Sequence, residues 1–394
     1  MITRTPLKKA ISIAYAQDRF PSTWYKSQSP FKDGAHPTSS WNLPYNAIRA
    51  QFWHLNGRGL VMFQLEWAVL LVEDFNIDPS TLVFLSDSLL KTKFAQQLGI
   101  RVIESQGPED MVSLQELTSM KPFDYVLKNA PWDKGLGQGI DLPFKRTTAY
   151  ATFNYFGHGL LAEQGVCLDI LPSNWMCMPD YQGWRDWMLE NFEILNISIW
   201  DNSQGEVFDG ITMSDVVTMV SRRVALPNNT AVEFVSYSGQ PFTVDLTKYN
   251  VWPMYKSPIS IKILDKVLQS KVADLPTGTE ATPPTWFVSA SNTRAGQRQN
   301  PAPRNDFSKG TLKAVSCPIW LGYSSQASLD THWEWMATTH YAYVLSMLQS
   351  SPKRQPIFYS MLGEHNFQNT DFYKHFSVTP THEREIQQWY NLIK

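Results

Sequence analysis

Between Ser80 and Trp132, short apolar runs alternate with amphipathic ones, and the alternation predicts strands and helices in turn. Thr81-Leu-Val-Phe-Leu-Ser86 has the unbroken apolar character of a buried strand and delivers Asp87 at its carboxyl end. Helical spacing over Leu89 to Leu98 stops at Gly99. Ile100-Arg-Val-Ile103 is the next strand, ending on Glu104, and a polar helix over Pro108 to Met120 follows it. Phe123-Asp-Tyr-Val-Leu127 then runs straight into Asn129-Ala-Pro-Trp132. Strands and helices in this order predict an α/β fold, a parallel sheet wound with helices, which collects ligands at the carboxyl ends of its strands.

The alternation continues downstream. Thr147 to Glu163 is spaced as an amphipathic helix closed by Gln164-Gly165, and Val166-Cys-Leu-Asp-Ile-Leu171 is a strand ending in Pro172-Ser-Asn-Trp175. Tyr181 to Asn191 is helical, Ile194 to Trp200 and Ser214 to Val220 are strands, and Gln204 to Gly210 is a loop between them. A boundary near Pro227 divides the chain into 1–227 and 228–394. Beyond it the texture is one of short strands and turns to about Ser316, with Pro253, Pro258, Pro276, Pro283, Pro284, Pro301 and Pro303 excluding long helices. Ser328 to Gln349 returns to helical spacing, and Thr381 to Ile393 is a closing helix.

Composition narrows the classes. With 43% hydrophobic residues in 394, the chain can build more than one core. It has no apolar run of membrane-spanning length, and Met1 to Phe20 lacks a signal-peptide core, so a cytoplasmic protein without a membrane contact is expected. Three cysteines, Cys167, Cys177 and Cys317, make no disulfide framework and no zinc spacing, so no metal is expected either. A net charge of −2 means that any polyanion must be met by a local patch. One exists between Trp286 and Lys313, where Arg294, Arg298, Arg304, Lys309 and Lys313 face the single acid Asp306. The cations suit phosphates, and the interleaved Asn292, Gln297, Gln299 and Asn300 suit base edges. A solvated loop has the same composition.

Asn129-Ala-Pro-Trp132 resembles the [Asn/Asp/Ser]-Pro-Pro-aromatic motif of DNA amino-methyltransferases. An exocyclic base amine is a poor nucleophile because its lone pair is conjugated with the ring. Acceptors on its hydrogens draw the nitrogen toward a tetrahedral form, and the resemblance assigns them to the Asn129 side-chain oxygen and the Ala130 carbonyl. Pro131 holds Ala130 extended, and Trp132 stacks on a base flipped out of the duplex. Ala130 departs from the motif's first proline and removes the fixed φ there. Further segments follow in the order seen in restriction-associated adenine methyltransferases: Gly159 to Gly165, Leu171-Pro-Ser-Asn-Trp175, Trp184 to Leu189, Phe192 to Trp200, Val207-Phe-Asp-Gly210, and Glu364 to Ile386. The resemblance covers roughly Thr81 to Lys394.

It implies a Rossmann-like methyltransferase domain, a doubly wound mixed sheet over 1–227, and a mixed α+β target-recognition region with a helical tail over 228–394. It also implies S-adenosylmethionine as cofactor and double-stranded DNA as partner. The family places a Gly-x-Gly turn after its first strand, where glycine lets the backbone approach the cofactor. The candidate is Asn56-Gly-Arg-Gly59, taken to precede an apolar helix from Leu60 to Phe75. Asp87 has the position that hydrogen-bonds the cofactor ribose, with Glu104 one strand further; a helix cap is the alternative for Asp87. Two functions fit: a site-specific adenine-N6 methyltransferase in a bacterial or phage-infected cell, or an inactive methyltransferase-like DNA-binding or partner subunit in restriction or phage defence. Ala130 and the missing glycine-rich motif favour the second, Asn129 and Trp132 the first.

Overall fold

The computed structural model describes residues 2–3, 5–17, 31–32, 36–37, 39–105, 110–130, 142, 144, 148–200, 215–236, 239–278, 286–290, 307–309, 319–348, 361–367 and 371–393. The chain forms two compact units. The first comprises Met1–Ser173, Asp180–Val235 and Asp245–Asn250; the second comprises Asn174–Pro179, Ser236–Val244 and Val251–Lys394. No helix among the described residues is long and apolar enough to cross a membrane.

In the first unit, beside the short antiparallel pair Phe31–Lys32 and His36–Pro37, the strands of the main sheet are β1 (Gly59–Met62), β2 (Leu82–Ser86), β3 (Arg101–Glu104), β4 (Phe123–Lys128), β5 (Leu161–Pro172), β6 (Phe192–Trp200), β7 (Val216–Arg223) and β8 (Val232–Val235). They form one sheet in the order β8-β6-β7-β5-β4-β1-β2-β3. β1 pairs in parallel with β2 and β4, β2 with β3, and β4 with β5; β7 runs antiparallel to both β5 and β6. This is the expected doubly wound, Rossmann-like mixed sheet, and its order reverses between β1 and β4. β1 and β2 are buried along their whole length because helices cover both faces.

One face carries α1 (Pro6–Gln17), α2 (Ser39–Gln51), α3 (Leu65–Glu73) and α4 (Leu89–Gln97). Trp41 and Ile48 of α2 and Trp67, Leu70 and Leu71 of α3 share one core with Val61, Phe84, Leu127 and Leu168 from the sheet. After α5 (Met111–Ser119), the other face takes α6 (Ala149–Gly159), whose His158 and Asn154 meet Lys128 of β4; α7 (Gln182–Asn191) leads into β6.

Several expected elements differ from those observed. The helix expected from Leu60 begins at Leu65, because Leu60, Val61 and Met62 are strand residues paired on both sides. Helix α6 closes at Leu160, and Gln164-Gly165 lies inside β5 instead of ending the helix. Gln164 has φ +65, and a Cβ on Gly165 would sit 2.9 Å from the Ala162 carbonyl, so this pair kinks the strand. β8 lies beyond Pro227 yet pairs in parallel with β6, and the first unit continues past the boundary expected there. Gln204 to Gly210 lies outside the described residues.

In the second unit, β9 (Pro241–Val244) precedes α8 (Pro258–Ser270). Proline was expected to exclude such a helix, but Pro258 occupies its first turn, where no amide donor is needed, behind the Ser257 cap. β10 (Thr277–Gly278), β11 (Phe287–Ala290), β12 (Phe307–Lys309) and β13 (Ile319–Gly322) make a small antiparallel sheet. The helix expected over Ser328 to Gln349 is two, α9 (Gln326–Trp335) and α10 (Thr339–Leu348), because the Thr338 hydroxyl accepts from the Tyr341 amide and starts the chain again. α11 (Phe372–His375) and α12 (Pro380–Ile393) complete the tail. Glu385 of α12 accepts from Ser257 (2.7 Å) and Tyr343 (3.0 Å), which ties α12 to α8 and α10.

Histidines are concentrated around Trp335. Its ring lies 5.3 Å from His332, 6.2 Å from His340 and 5.2 Å from His365. Burial holds His332 and His340 down to about 3 and His365 to about 4. The unfolded chain takes up these protons near pH 6.5, so stability is complete above that pH and declines as pH falls toward 4. Neither ring nitrogen of His332 has a hydrogen-bond partner among the described residues, so the ring serves as an aromatic filler. His332→Phe is expected to keep or raise Tm at pH 7.5 and to flatten the decline between pH 6.5 and 5 by one proton. Thermal melts across that range check this; an unchanged pH slope would show that His332 is not among the titrating groups.

Candidate active site

The strand order reverses between β1 and β4, and α3 and α6, the next described helices after these strands, lie on opposite faces of the sheet. The register brings Met62 beside Leu85 and Lys128, and Ser86 beside Glu104. Asn129, Asp87 and Glu104 therefore leave β4, β2 and β3 at one edge of the sheet.

Asn129 is half-buried and its amide donates to the Met62 carbonyl at 3.4 Å. Ala130 is 2% exposed. Pro131 and Trp132 lie outside the described residues. Asp87 is not the cap of α4: Ser88 is, its hydroxyl accepting from the Leu90 amide, and Asp87 instead pairs with Lys91 at 2.7 Å. Glu104 is exposed, and Ser105 after it donates its amide to the Ser86 carbonyl at 2.8 Å.

Asn56, Gly57 and Gly59 do not join this group. They lie at the amino end of β1, the opposite edge, because the strand follows them where a helix was expected. There the Arg58 amide donates to Asp124 Oδ2 at 2.7 Å, and Gly57, at φ +90, has that carboxylate where a Cβ would stand. The turn fastens the start of β1 to the start of β4.

The turn at the carboxyl end of β1 is Phe63-Gln64, without glycine. Phe63 takes φ +69, a left-handed conformation costing about 1 kcal/mol for a side-chain-bearing residue. Its amide donates to the Leu85 carbonyl at 2.8 Å and its ring meets Phe153 at 4.4 Å.

Two sets of residues escaped the sequence reading. Glu66, in the first turn of α3, is 1% exposed, and its Oε2 has no hydrogen-bond partner among the described residues. Burial pushes its carboxyl up to about 7, against the pull of Lys91. The available signal was a single acid in Leu65-Glu-Trp-Ala-Val-Leu-Leu71. Lys128 and Asp169 are likewise charged residues beside apolar runs in their strands, and they pair at 2.5 Å beneath the sheet. The polar groups of a cleft on the α2 side satisfy one another: Asn196 donates to Glu233 and Trp200 to Thr218.

Of the basic segment, Lys309 lies in β12 opposite Val288. Arg294, Arg298, Arg304 and Lys313 lie outside the described residues. Trp175 is a buried core residue 5.1 Å from Trp252.

No protein-family model matches this sequence, and no curated protein matches it. Among solved structures the chain is similar to a Listeria monocytogenes protein described as a class I S-adenosylmethionine-dependent methyltransferase, at 10% identity over 59% of this chain and 72% of that one, TM-score 0.44. It is similar to the M protein of the type I restriction enzyme EcoKI at 12% identity, 68% and 62% coverage, TM-score 0.40. It is also similar to the type IIG restriction endonuclease BpuSI at 10% identity, 89% and 60% coverage, TM-score 0.43. The alignments thus take in 62% and 60% of the two restriction-system chains.

Glu66 gives this site a pH signature. Its folded carboxyl titrates near 7 against 4.5 when unfolded, so its contribution to stability is complete below about pH 4.5 and is lost as pH rises through 7. Glu66→Gln keeps the shape and removes the charge. It is expected to leave Tm unchanged at pH 5 and to raise it at pH 8, measured by calorimetry. A variant less stable than wild type at pH 8 would mean that the carboxylate is held by a cation in the folded protein.

Proposed function

We propose that this chain transfers a methyl group from S-adenosylmethionine to the exocyclic amine of an adenine flipped out of double-stranded DNA. The observation that carries the reading is the place of Asn129-Ala130: at the carboxyl end of β4, hydrogen-bonded to the end of β1, at the reversal of the sheet. There the Asn129 side-chain oxygen and the Ala130 carbonyl serve as the two acceptors for the amine hydrogens. Pro131 and Trp132 complete the motif, with Trp132 stacking on the base.

The residues at this edge suit the cofactor's charge. S-adenosylmethionine carries a sulfonium and an ammonium group, and Glu66 offers a buried carboxylate oxygen that has no hydrogen-bond partner among the described residues. Asp87 at the end of β2 would hold the ribose and Glu104 the adenine side. When bound, S-adenosylmethionine supplies an electrophilic methyl group; the chain's task is to orient the amine and to exclude water. Arg294, Arg298, Arg304, Lys309 and Lys313 would meet DNA phosphates, in a restriction-modification or phage-defence setting with a partner subunit.

One observation favours a second reading, a methyltransferase-like subunit without catalysis. Phe63 stands in the turn where glycine would let a cofactor approach the backbone, and its ring is packed on Phe153.

Incubation with S-adenosylmethionine labelled in the methyl group and genomic DNA free of adenine methylation separates the two. Wild type is expected to label the DNA, and Asn129→Ala to lose about 100-fold in rate with Tm and duplex affinity retained. Labelling by the variant at the wild-type rate contradicts the catalytic role of Asn129, and no labelling by wild type selects the second reading.

A further inference from the structure

The residue before Asn129 is a lysine buried at the end of an apolar strand. Lys128 is 1% exposed, and its Nζ reaches beneath the sheet toward α6 and β5. It lies 2.5 Å from Asp169 Oδ1 and 2.9 Å from His158 Nδ1, and it donates to Asn154 Oδ1. His158 Nε2 in turn stands 2.9 Å from the Ser221 hydroxyl, and the Cys167 thiol donates to Asp169 Oδ2 at 3.5 Å. One side chain thereby links β4, β5, α6 and, through His158, β7. Helix α6 lies directly on the lysine stem: a Cβ on Gly157 would stand 2.9 Å from Lys128 Cε and 3.1 Å from Met62 Sδ.

Stability alone does not account for a charged pair here. Two buried charges must be stripped of water, and apolar residues of the same volume often stabilise as well or better. What the pair adds is direction. Three polar partners on three residues fix the lysine rotamer, and through Cα fix the peptide that carries Asn129. Cys167, His158 and Asp169 also bring their donor atoms within 4.8 Å of one another, a spacing that could hold a metal ion. Lys128 already supplies a cation there, while burial and the lysine keep His158 neutral and burial keeps the Cys167 thiol protonated.

We propose that Lys128 is a positioning residue, whose locked ammonium sets the backbone of Asn129-Ala130 at the strand end. The catalytic part of this inference rests on the function proposed above; the positioning part does not.

The test therefore reads both. In Lys128→Met/Asp169→Leu the charges leave together, so that no lone buried ion remains. The expected result is a Tm within a few degrees of wild type, hydrogen exchange of the Asn129 amide at least about 10-fold faster, and unchanged exchange at Val61 and Phe84. Methyl transfer is expected to show kcat lowered about 10-fold or more, with the calorimetric Kd for S-adenosylmethionine within about threefold. Asn154→Ala keeps the ion pair and removes one acceptor, and is expected to quicken Asn129 exchange about threefold should the double variant not fold. Unchanged Asn129 exchange in the folded variants overturns the proposal, and so does a stoichiometric metal in the purified wild type. Faster exchange with an inactive wild type upholds the positioning and removes only the proposed function.

Discussion

Two neighbouring parallel strands, β1 and β4, share a ladder from Gly59 beside Tyr125 to Met62 beside Lys128, yet their helices depart to opposite faces. Backbone groups past the last rung cannot be covered by either helix, so the chain must satisfy them locally or offer them to a ligand. Met62 does this by accepting from both the Gln64 and Asn129 amides. Glu66, Asp87 and Asn129 stand past the carboxyl ends of β1, β2 and β4.

Burial governs what these groups can do. Burial raises both carboxyls, that of Glu66 to about 7 against its own backbone hydrogen bond and Lys91, and that of Asp169 against the pull of Lys128. The same unit therefore contains one buried acid suited to receive a cation and one already given one. Phe63 marks the opposing demand: its left-handed turn is paid for by packing on Phe153, so the ring that steadies β1 also occupies space beside the site.

Much of this was legible in the sequence, for physical reasons. β2, β3 and β4 are bounded by helices with clear spacing, and Asn129 follows β4 directly, so the strand-end position of the motif could be read. β1 could not. Gly59 to Leu71 is a nearly continuous apolar run in which a buried strand and a buried helix have no difference in periodicity, and only the left-handed Phe63 separates them. The glycine turn was assigned to the wrong end of β1 for that reason. Partners distant in sequence, such as Lys128 with Asp169, were visible only as separate charges beside apolar runs. Pro258 was read as a helix breaker because its role at a first turn depends on the Ser257 cap.

The central claim is that the carboxyl edge of β1, β2 and β4 takes S-adenosylmethionine. Titration calorimetry of the full chain with S-adenosylmethionine tests it most directly, run beside Asp87→Asn and a control, Gly57→Ala, at the opposite edge. The expected result is one site per chain, weakened about 10-fold or more by Asp87→Asn and unaffected in affinity by Gly57→Ala in the folded protein. Binding weakened by the Gly57 variant and not by the Asp87 variant would contradict the account, as would the absence of both heat and thermal stabilisation at millimolar ligand.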